Sequence, residues 1–145
     1  MSDLTLTAGL ALGAVFFQVA LTFWAIIAMG QGRLAALQAK QVRMADIAIE
    51  TDAYPENVRL LQANVRNQFE TPVLLYAGVG IALATGAVNW GVALGALTYA
   101  VSRALHRWVH AGSNHLPSRF NAFVLGLVGL LILWLALAAG LIFAA

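Results

Sequence analysis

The feature that most constrains this chain is a polar helical face that runs directly into an apolar segment. In residues 59–76, RLLQANVRNQFETPVLLY, polar side chains recur at i, i+3, i+7, i+8 and i+11, which places them on one face of a helix. They are Arg59, Gln62, Arg66, Asn67 and Glu70. An apolar run over residues 73–88 follows at once. An ionisable group at the bilayer centre costs about 2.5–3.5 kcal/mol on insertion scales, so charges carried to the edge of the hydrocarbon need partners from other segments.

The composition places the chain in a membrane. Of its 145 residues, 61% are hydrophobic and only 10% are charged, whereas soluble domains carry about 25% charged residues. The chain has no cysteine, so any thiol chemistry must come from a bound molecule. The formal net charge of +2 comes from cations that lie at the edges of the apolar segments. We interpret it as a topology signal and predict no nucleic-acid partner.

Four segments are long enough for a bilayer, which takes about 20 helical residues, although half of the second and half of the third are polar. We predict spans at about residues 6–29, 56–88, 91–110 and 119–143, within one domain of residues 1–145. The predicted fold class is therefore all-α, an integral membrane four-helix bundle. Pro72 lies inside the second span and should kink or loosen it. Small residues predict close helix contacts in the last two spans. These are Gly91, Gly95, Gly126 and Gly129.

The cations predict the orientation of the bundle. Four spans put both termini on one side, and every Lys and Arg then lies at the opposite end. By the positive-inside rule this basic end is cytoplasmic. The cations are Arg33, Lys40, Arg43, Arg59, Arg66, Arg103, Arg107 and Arg119. Asp3 is the charge that precedes the first span, and the apolar run exceeds the roughly 7–15 residues of a signal core, so we expect a span and not a signal peptide.

Polar groups from all four spans should meet at one depth at the basic end. They are Arg33, Arg66, Asn67, Glu70, Arg103, His106, His110 and Arg119. Several arginines with one acid suit a small ligand that carries two or more carboxylates. The alternative is that the arginines only set the topology and Glu70 is their counter-ion. Topology alone, however, requires neither Glu70 nor Asn67 at this depth. We also predict that Glu70 pairs with Arg66, with Arg103 or with an amine of the ligand.

The histidines offer a second interpretation. His106 and His110 are four residues apart, a spacing that can hold a metal, and His115 follows five residues later. All three belong to one helix and its following loop, with no cysteine or acid nearby in sequence. We therefore predict histidines that form hydrogen bonds, and neither a metal nor a haem site.

Four short motifs, taken in order, carry a family resemblance. They are GQGRL at residues 30–34, RNQFE at 66–70, RxxHxxxH at 103–110 and PxR at 117–119. In order and placement they resemble the MAPEG family, the membrane-associated proteins in eicosanoid and glutathione metabolism, over almost the whole chain. The resemblance implies a homotrimer of four-helix bundles that binds glutathione between neighbouring subunits at the cytoplasmic end.

The resemblance also implies roles for single residues. The glutathione-site positions are Arg33, Arg66, Asn67, Glu70, Arg103, His106 and Arg119, and His110 faces the same region. Arg119 resembles the arginine that stabilises the glutathione thiolate, since a cation within about 4–6 Å favours an ionised thiol. The chain departs from the family pattern at Ala63, where an arginine is usual, and at His110, where a tyrosine is common. Phe120 and Phe123 stand where an aromatic hydroxyl is expected.

We therefore expect a membrane-bound glutathione transferase or glutathione-dependent peroxidase that acts on apolar electrophiles in a bacterial-type inner membrane. Its partners would be further copies of itself, membrane lipid and a small hydrophobic substrate. The alternative is a non-catalytic lipid-binding or scaffold protein of the same fold. A transporter or channel is disfavoured because the polar groups stop half-way across the bilayer.

Overall fold

The computed structural model describes residues 5–48, 52–112 and 114–143, and the regular structure in these ranges is helical. The helices are α1 (Leu6–Gln38), α2 (Glu56–Asn67), α3 (Pro72–Ala84), α4 (Trp90–Ala111) and α5 (Leu116–Phe143). A short 3-10 turn, Met44–Ile47, lies between α1 and α2. The predicted all-α class is confirmed. The chain ends, for which the sequence predicts a common side of the membrane, lie outside the described residues.

Two helices are long and apolar enough to cross a bilayer. They are α1, with 33 residues, and α5, with 28. Both direct large apolar side chains outward, as Phe16 on α1 and Leu131 on α5 illustrate with exposures of 70% and 59%. A surface of this kind suits contact with lipid. α3 has only 13 residues, and the second half of α4 is polar. These two helices belong to the bundle, but α1 and α5 are the two that are long and apolar enough to qualify as candidate spans.

The predicted second span, residues 56–88, is two helices in the structure. α2 ends at Asn67 and α3 begins at Pro72. Proline lacks the N–H that a continuing helix needs and its ring clashes with the carbonyl four residues earlier, but it fits the first turn of a new helix. Pro72 therefore does more than kink a continuous helix, because one helix ends before it and the next begins at it. As a result Glu70 lies in the break.

Side chains from α1 and α4 hold this break. Gln18 of α1 is fully buried, and its Nε2 donates a hydrogen bond of 2.8 Å to Oε1 of Gln68, which is also buried. The hydroxyls of Thr71 and Tyr99 lie 2.9 Å apart and share a hydrogen bond. Because buried polar groups are stable only when they are hydrogen-bonded, these contacts fix the position of residues 68–71 between the neighbouring helices.

The apolar end of the bundle is formed by close contact between α4 and α5. A Cβ added at Gly95 would lie 2.6 Å from the backbone nitrogen of Leu133 and 2.7 Å from the carbonyl oxygen of Gly129. Any side chain larger than hydrogen would therefore force the two backbones apart. The close helix contacts predicted from the small residues are confirmed here.

Candidate functional site

Five of the eight predicted site residues line two cavities at the basic end, and these cavities share no lining residue. The first, which we call the arginine groove, has a volume of about 540 Å³. Its lining is Met29, Arg33, Asp52, Arg59, Gln62, Ala63, Val65 and Arg66. The second, which we call the phenyl-lined cavity, has a volume of about 210 Å³. Its lining is Asn67, His106, Leu116, Arg119, Phe120 and Phe123.

The arginine groove lies where the end of α1 meets α2. Arg59, Gln62 and Arg66 all line it, so the helical face predicted from their spacing is confirmed for these three residues. Arg33 is held from two sides. Its Nη2 donates a hydrogen bond of 3.2 Å to Oε1 of Gln62, and its guanidinium carbon lies 5.5 Å from the centre of the Tyr54 ring. The groove is therefore rich in arginine, and within it Arg33 is oriented by two neutral partners.

One acid that the helical spacing does not predict lines the arginine groove. Asp52 belongs to the connection between α1 and α2 and contributes to the same cavity as the arginines. A loop residue has no periodicity, so nothing in the spacing of the sequence placed it there. The arginines of the groove can bind carboxylates of a ligand, and Asp52 can bind an ammonium group.

The phenyl-lined cavity combines one arginine with an apolar wall. Nη1 of Arg119 donates a hydrogen bond of 2.8 Å to Oδ1 of Asn114, which fixes the guanidinium at the start of α5. The His106 ring lies 6.3 Å from the Phe123 ring, and Phe120 is 60% exposed. A cation beside apolar rings stabilises a nearby anion, and this stabilisation grows as water is excluded from the cavity.

His110 lies behind His106. Its ring centre is 5.6 Å from that of His106, and the residue is only 2% exposed. His110 lines neither cavity, whereas His106 lines the phenyl-lined cavity. Of the two histidines on this face, His106 is therefore the one placed to meet a ligand.

Arg103 contacts the protein backbone. It is 2% exposed, and its Nη2 donates a hydrogen bond of 2.7 Å to the carbonyl oxygen of Asn67. Asn67 is the last residue of α2, so its carbonyl has no partner within the helix, and a helix C-terminus carries partial negative charge. Arg103 thus ties α4 to the end of α2 and sets the position from which Asn67 lines the phenyl-lined cavity.

Among the described residues, Glu70 forms no ion pair with either arginine predicted to pair with it. The residue is exposed, and within residues 5–48, 52–112 and 114–143 the ion pair closer than 4 Å is the one between Arg43 and Asp46. The predicted pairing of Glu70 with Arg66 or Arg103 of its own chain is therefore wrong. The break after Asn67 removes Glu70 from the helical face that its spacing predicted.

Arg107 is a second buried cation, for which the sequence predicts only a topology role. It is 3% exposed, its Nη1 donates a hydrogen bond to Oδ1 of Asn64, and its guanidinium carbon lies 4.0 Å from the centre of the Trp24 ring. Arg107 follows Arg103 by four residues, which places both on the polar face of α4. This spacing is the sequence signal that could have identified Arg107 as a buried polar residue. Arg107 lines neither cavity of the candidate site.

Comparison with known proteins gives one match. The family model of the MAPEG family matches residues 11–139, nearly the whole chain, and this range includes every predicted site residue. No curated protein and no solved structure matches the chain.

Proposed function

Because the chain belongs to the MAPEG family of membrane four-helix bundles, we propose that it is a membrane-bound glutathione transferase or glutathione-dependent peroxidase that acts on apolar electrophiles. The observation that carries the proposal is the pair of unlike cavities at the basic end. One is rich in arginine and includes an acid, and the other sets a single arginine beside phenyl rings. We further propose that the basic end faces the cytoplasm from the inner membrane of a bacterium.

The arginine groove is the proposed site for the charged ends of glutathione. Glutathione carries two carboxylates and one amine, and the groove offers Arg33, Arg59 and Arg66 together with the carboxylate of Asp52. Guanidinium groups bind carboxylates through charge-assisted and often bidentate hydrogen bonds. Binding at this groove therefore holds the peptide and leaves its thiol free to reach another surface.

The phenyl-lined cavity is the proposed site of the chemistry. There Arg119 holds the glutathione sulfur as a thiolate, and the rings of Phe120 and Phe123 receive an apolar electrophile from the bilayer. In a transfer reaction the thiolate attacks carbon, a sulfur–carbon bond forms, and the bond to the leaving group breaks, so that the leaving group departs with the electron pair as an anion. In a peroxidase reaction the thiolate attacks a peroxide oxygen, the O–O bond breaks, and the alkoxide takes a proton from water. A second glutathione then reduces the resulting sulfenic acid, which yields glutathione disulfide and water. The protein contributes orientation and electrostatic stabilisation.

A homotrimer would bring the two cavities into one site. Within one chain they share no lining residue, so a single glutathione is proposed to lie between the arginine groove of one subunit and the phenyl-lined cavity of the next. Exposed Glu70 is then free to contact a ligand or a neighbouring subunit. A mass measurement in detergent tests the subunit count, and a monomer or dimer would contradict this arrangement.

The thiolate is tested with Arg119→Leu. Wild-type protein saturated with glutathione should show the ultraviolet absorbance of a thiolate at neutral pH, and the variant should lose it. Calorimetry should show only a modest loss of affinity, since the carboxylates bind elsewhere. Arg43→Leu is the matched control, because Arg43 is an exposed arginine whose partner is Asp46, outside both cavities.

Two results would count against the proposal. If Arg119→Leu keeps the full thiolate absorbance, another group ionises the sulfur. If the wild-type protein binds glutathione without any thiolate signal, or does not bind it, the non-catalytic lipid-binding or scaffold role becomes the better account.

Co-expression of two inactive variants tests whether the site is shared. Arg66→Leu and Arg119→Leu should each abolish activity alone. In mixed trimers about one interface in four keeps both arginines, if subunits mix at random. Activity near that fraction supports a shared site, whereas mixtures as inactive as the single variants place both arginines in one subunit's site.

A further inference from the structure

A third cavity, the α1/α4 groove, lies outside the candidate site. It has a volume of about 420 Å³ and is lined by Phe17, Ala20, Leu21, Trp24, Ala104 and Trp108. The four residues from α1 recur at i, i+3, i+4 and i+7, so they form one helical face. Ala20 and Ala104 leave space between the two helices where larger side chains would fill it. The groove is thus an apolar cavity that shares no residue with either cavity described above.

Tryptophan marks one end of this groove. Trp24 and Trp108 are 58% and 80% exposed, and Trp108 is three residues from the end of α4 at Ala111. Tryptophan is enriched where a membrane protein crosses the headgroup region. Phe17 lies two helical turns before Trp24, deeper in α1. The groove therefore runs from the headgroup level at the basic end into the hydrocarbon.

A buried cation lies beside the tryptophan end. The guanidinium of Arg107 stacks on the Trp24 ring at 4.0 Å, and its partner is the neutral side chain of Asn64. Its Nε makes no hydrogen bond to the described residues, and no carboxylate of those residues lies within 4 Å. A buried positive charge without a negative partner exerts a strong attraction on an anion, because little solvent screens it.

We propose that the α1/α4 groove binds an anionic glycerophospholipid of the membrane. One acyl chain lies along the groove towards Phe17, and the phosphate lies at the tryptophan end, where it is attracted by Arg107. Basic pockets between helices at the cytoplasmic side recognise anionic headgroups by this combination of charge and apolar contact. A zwitterionic lipid fills the groove equally well but gains less from Arg107.

A second apolar groove provides a matched control. It has a volume of about 310 Å³, lies between α1 and α3, and is lined by Leu12, Val15, Val19, Tyr76, Val79, Gly80 and Leu83. None of these residues is charged. A Cβ added at Gly80 meets no atom within 4 Å. Because this groove has no charged residue, we expect it to retain lipid only weakly and without preference for a charged headgroup.

Native mass spectrometry of the full chain in detergent tests the proposal. Phosphatidylglycerol and phosphatidylcholine with identical acyl chains are added, and the bound fraction of each is measured. The wild-type protein should retain phosphatidylglycerol about fivefold more strongly, the factor expected for one basic residue near an anionic lipid. Ala104→Leu should reduce retention of both lipids, and Gly80→Leu should leave retention and preference unchanged. Arg107→Gln should keep lipid binding and lose the preference.

Three results would overturn the proposal. The first is equal retention of the two lipids by the wild-type protein. The second is equal loss in Ala104→Leu and Gly80→Leu. The third is a change of subunit number in Ala104→Leu, which would identify the groove as a contact between copies of the chain. If Arg107→Gln does not fold, as judged by circular dichroism, the comparison of the other two variants decides.

Discussion

The two halves of α4 pack by different means. In the first half Gly95 lies against the backbone of α5, and Val92 and Ala96 are fully buried among apolar neighbours. In the second half Arg103 and Arg107 are equally buried but each donates a hydrogen bond to α2. The first half is thus held by close apolar packing, and the second by hydrogen bonds to polar partners.

The difference shows how a membrane bundle can carry a polar site. Between helices in lipid there is little hydrophobic driving force, so association depends on close van der Waals contact and on interhelical hydrogen bonds. The apolar half is held by close van der Waals contact, which is possible because glycine has no side chain. The polar half, with the break at residues 68–71, uses the hydrogen bonds and keeps the space that the two cavities occupy.

Gly95→Leu should separate α4 from α5. Its Cβ would lie within 3 Å of backbone atoms of Leu133 and Gly129, which cannot move aside as a flexible side chain would. We expect the free energy of unfolding to fall by more than about 3 kcal/mol, the upper range for overpacking. Thermal unfolding in detergent, followed by circular dichroism, measures it. Gly80→Leu is the control and should change little, because no atom lies within 4 Å of the added Cβ. Similar losses in both variants would show that the α4–α5 contact is no more sensitive to an added side chain than the open position at Gly80.

Gln18→Leu should destabilise the break by leaving Gln68 buried without its partner. The lost bond is 2.8 Å long and both residues are buried. An unsatisfied buried polar group costs about 1–3 kcal/mol, whereas removal of both partners can be nearly neutral. The double variant Gln18→Leu, Gln68→Leu should therefore recover most of the loss in the same unfolding measurement. If the double variant is as unstable as the sum of the two single ones, the pair does not act as a unit.

Tyr99→Phe should have the smallest effect, because Tyr99 lies at the border of the two halves. The change removes only the hydroxyl that hydrogen-bonds Thr71 at 2.9 Å and keeps the buried ring. We expect a loss of about 0.5–1.5 kcal/mol, the usual net worth of one hydrogen bond. Thr71→Val should give a similar loss, and the double variant should be no worse than either single one. Additive losses would mean that the two hydroxyls have other partners.

Local patterns in the sequence determined much of the fold and part of the candidate site. The length of the apolar runs and the low fraction of charged residues predicted helices in a membrane, because both quantities can be counted in the sequence without knowledge of the packing. Helical periodicity placed Arg59, Gln62 and Arg66 on one face, and they line one groove. Glycine spacing likewise predicted the close contact around Gly95 and Gly129. The order of short motifs indicated the family that the family model then matched.

Tertiary packing determines which partner each polar residue contacts and which cavity it lines. Pro72 accounts for the break after Asn67, but the contact that holds the break against α1 comes from Gln18, 50 residues from Gln68 in the sequence. Arg66 and Asn67 are adjacent in the chain yet line different cavities. The neutral partners of Arg103 and Arg107 lie 36 and 43 residues away. Periodicity acts within a few helical turns, so it predicts which face a residue occupies. The group that meets that face is chosen by packing between distant segments.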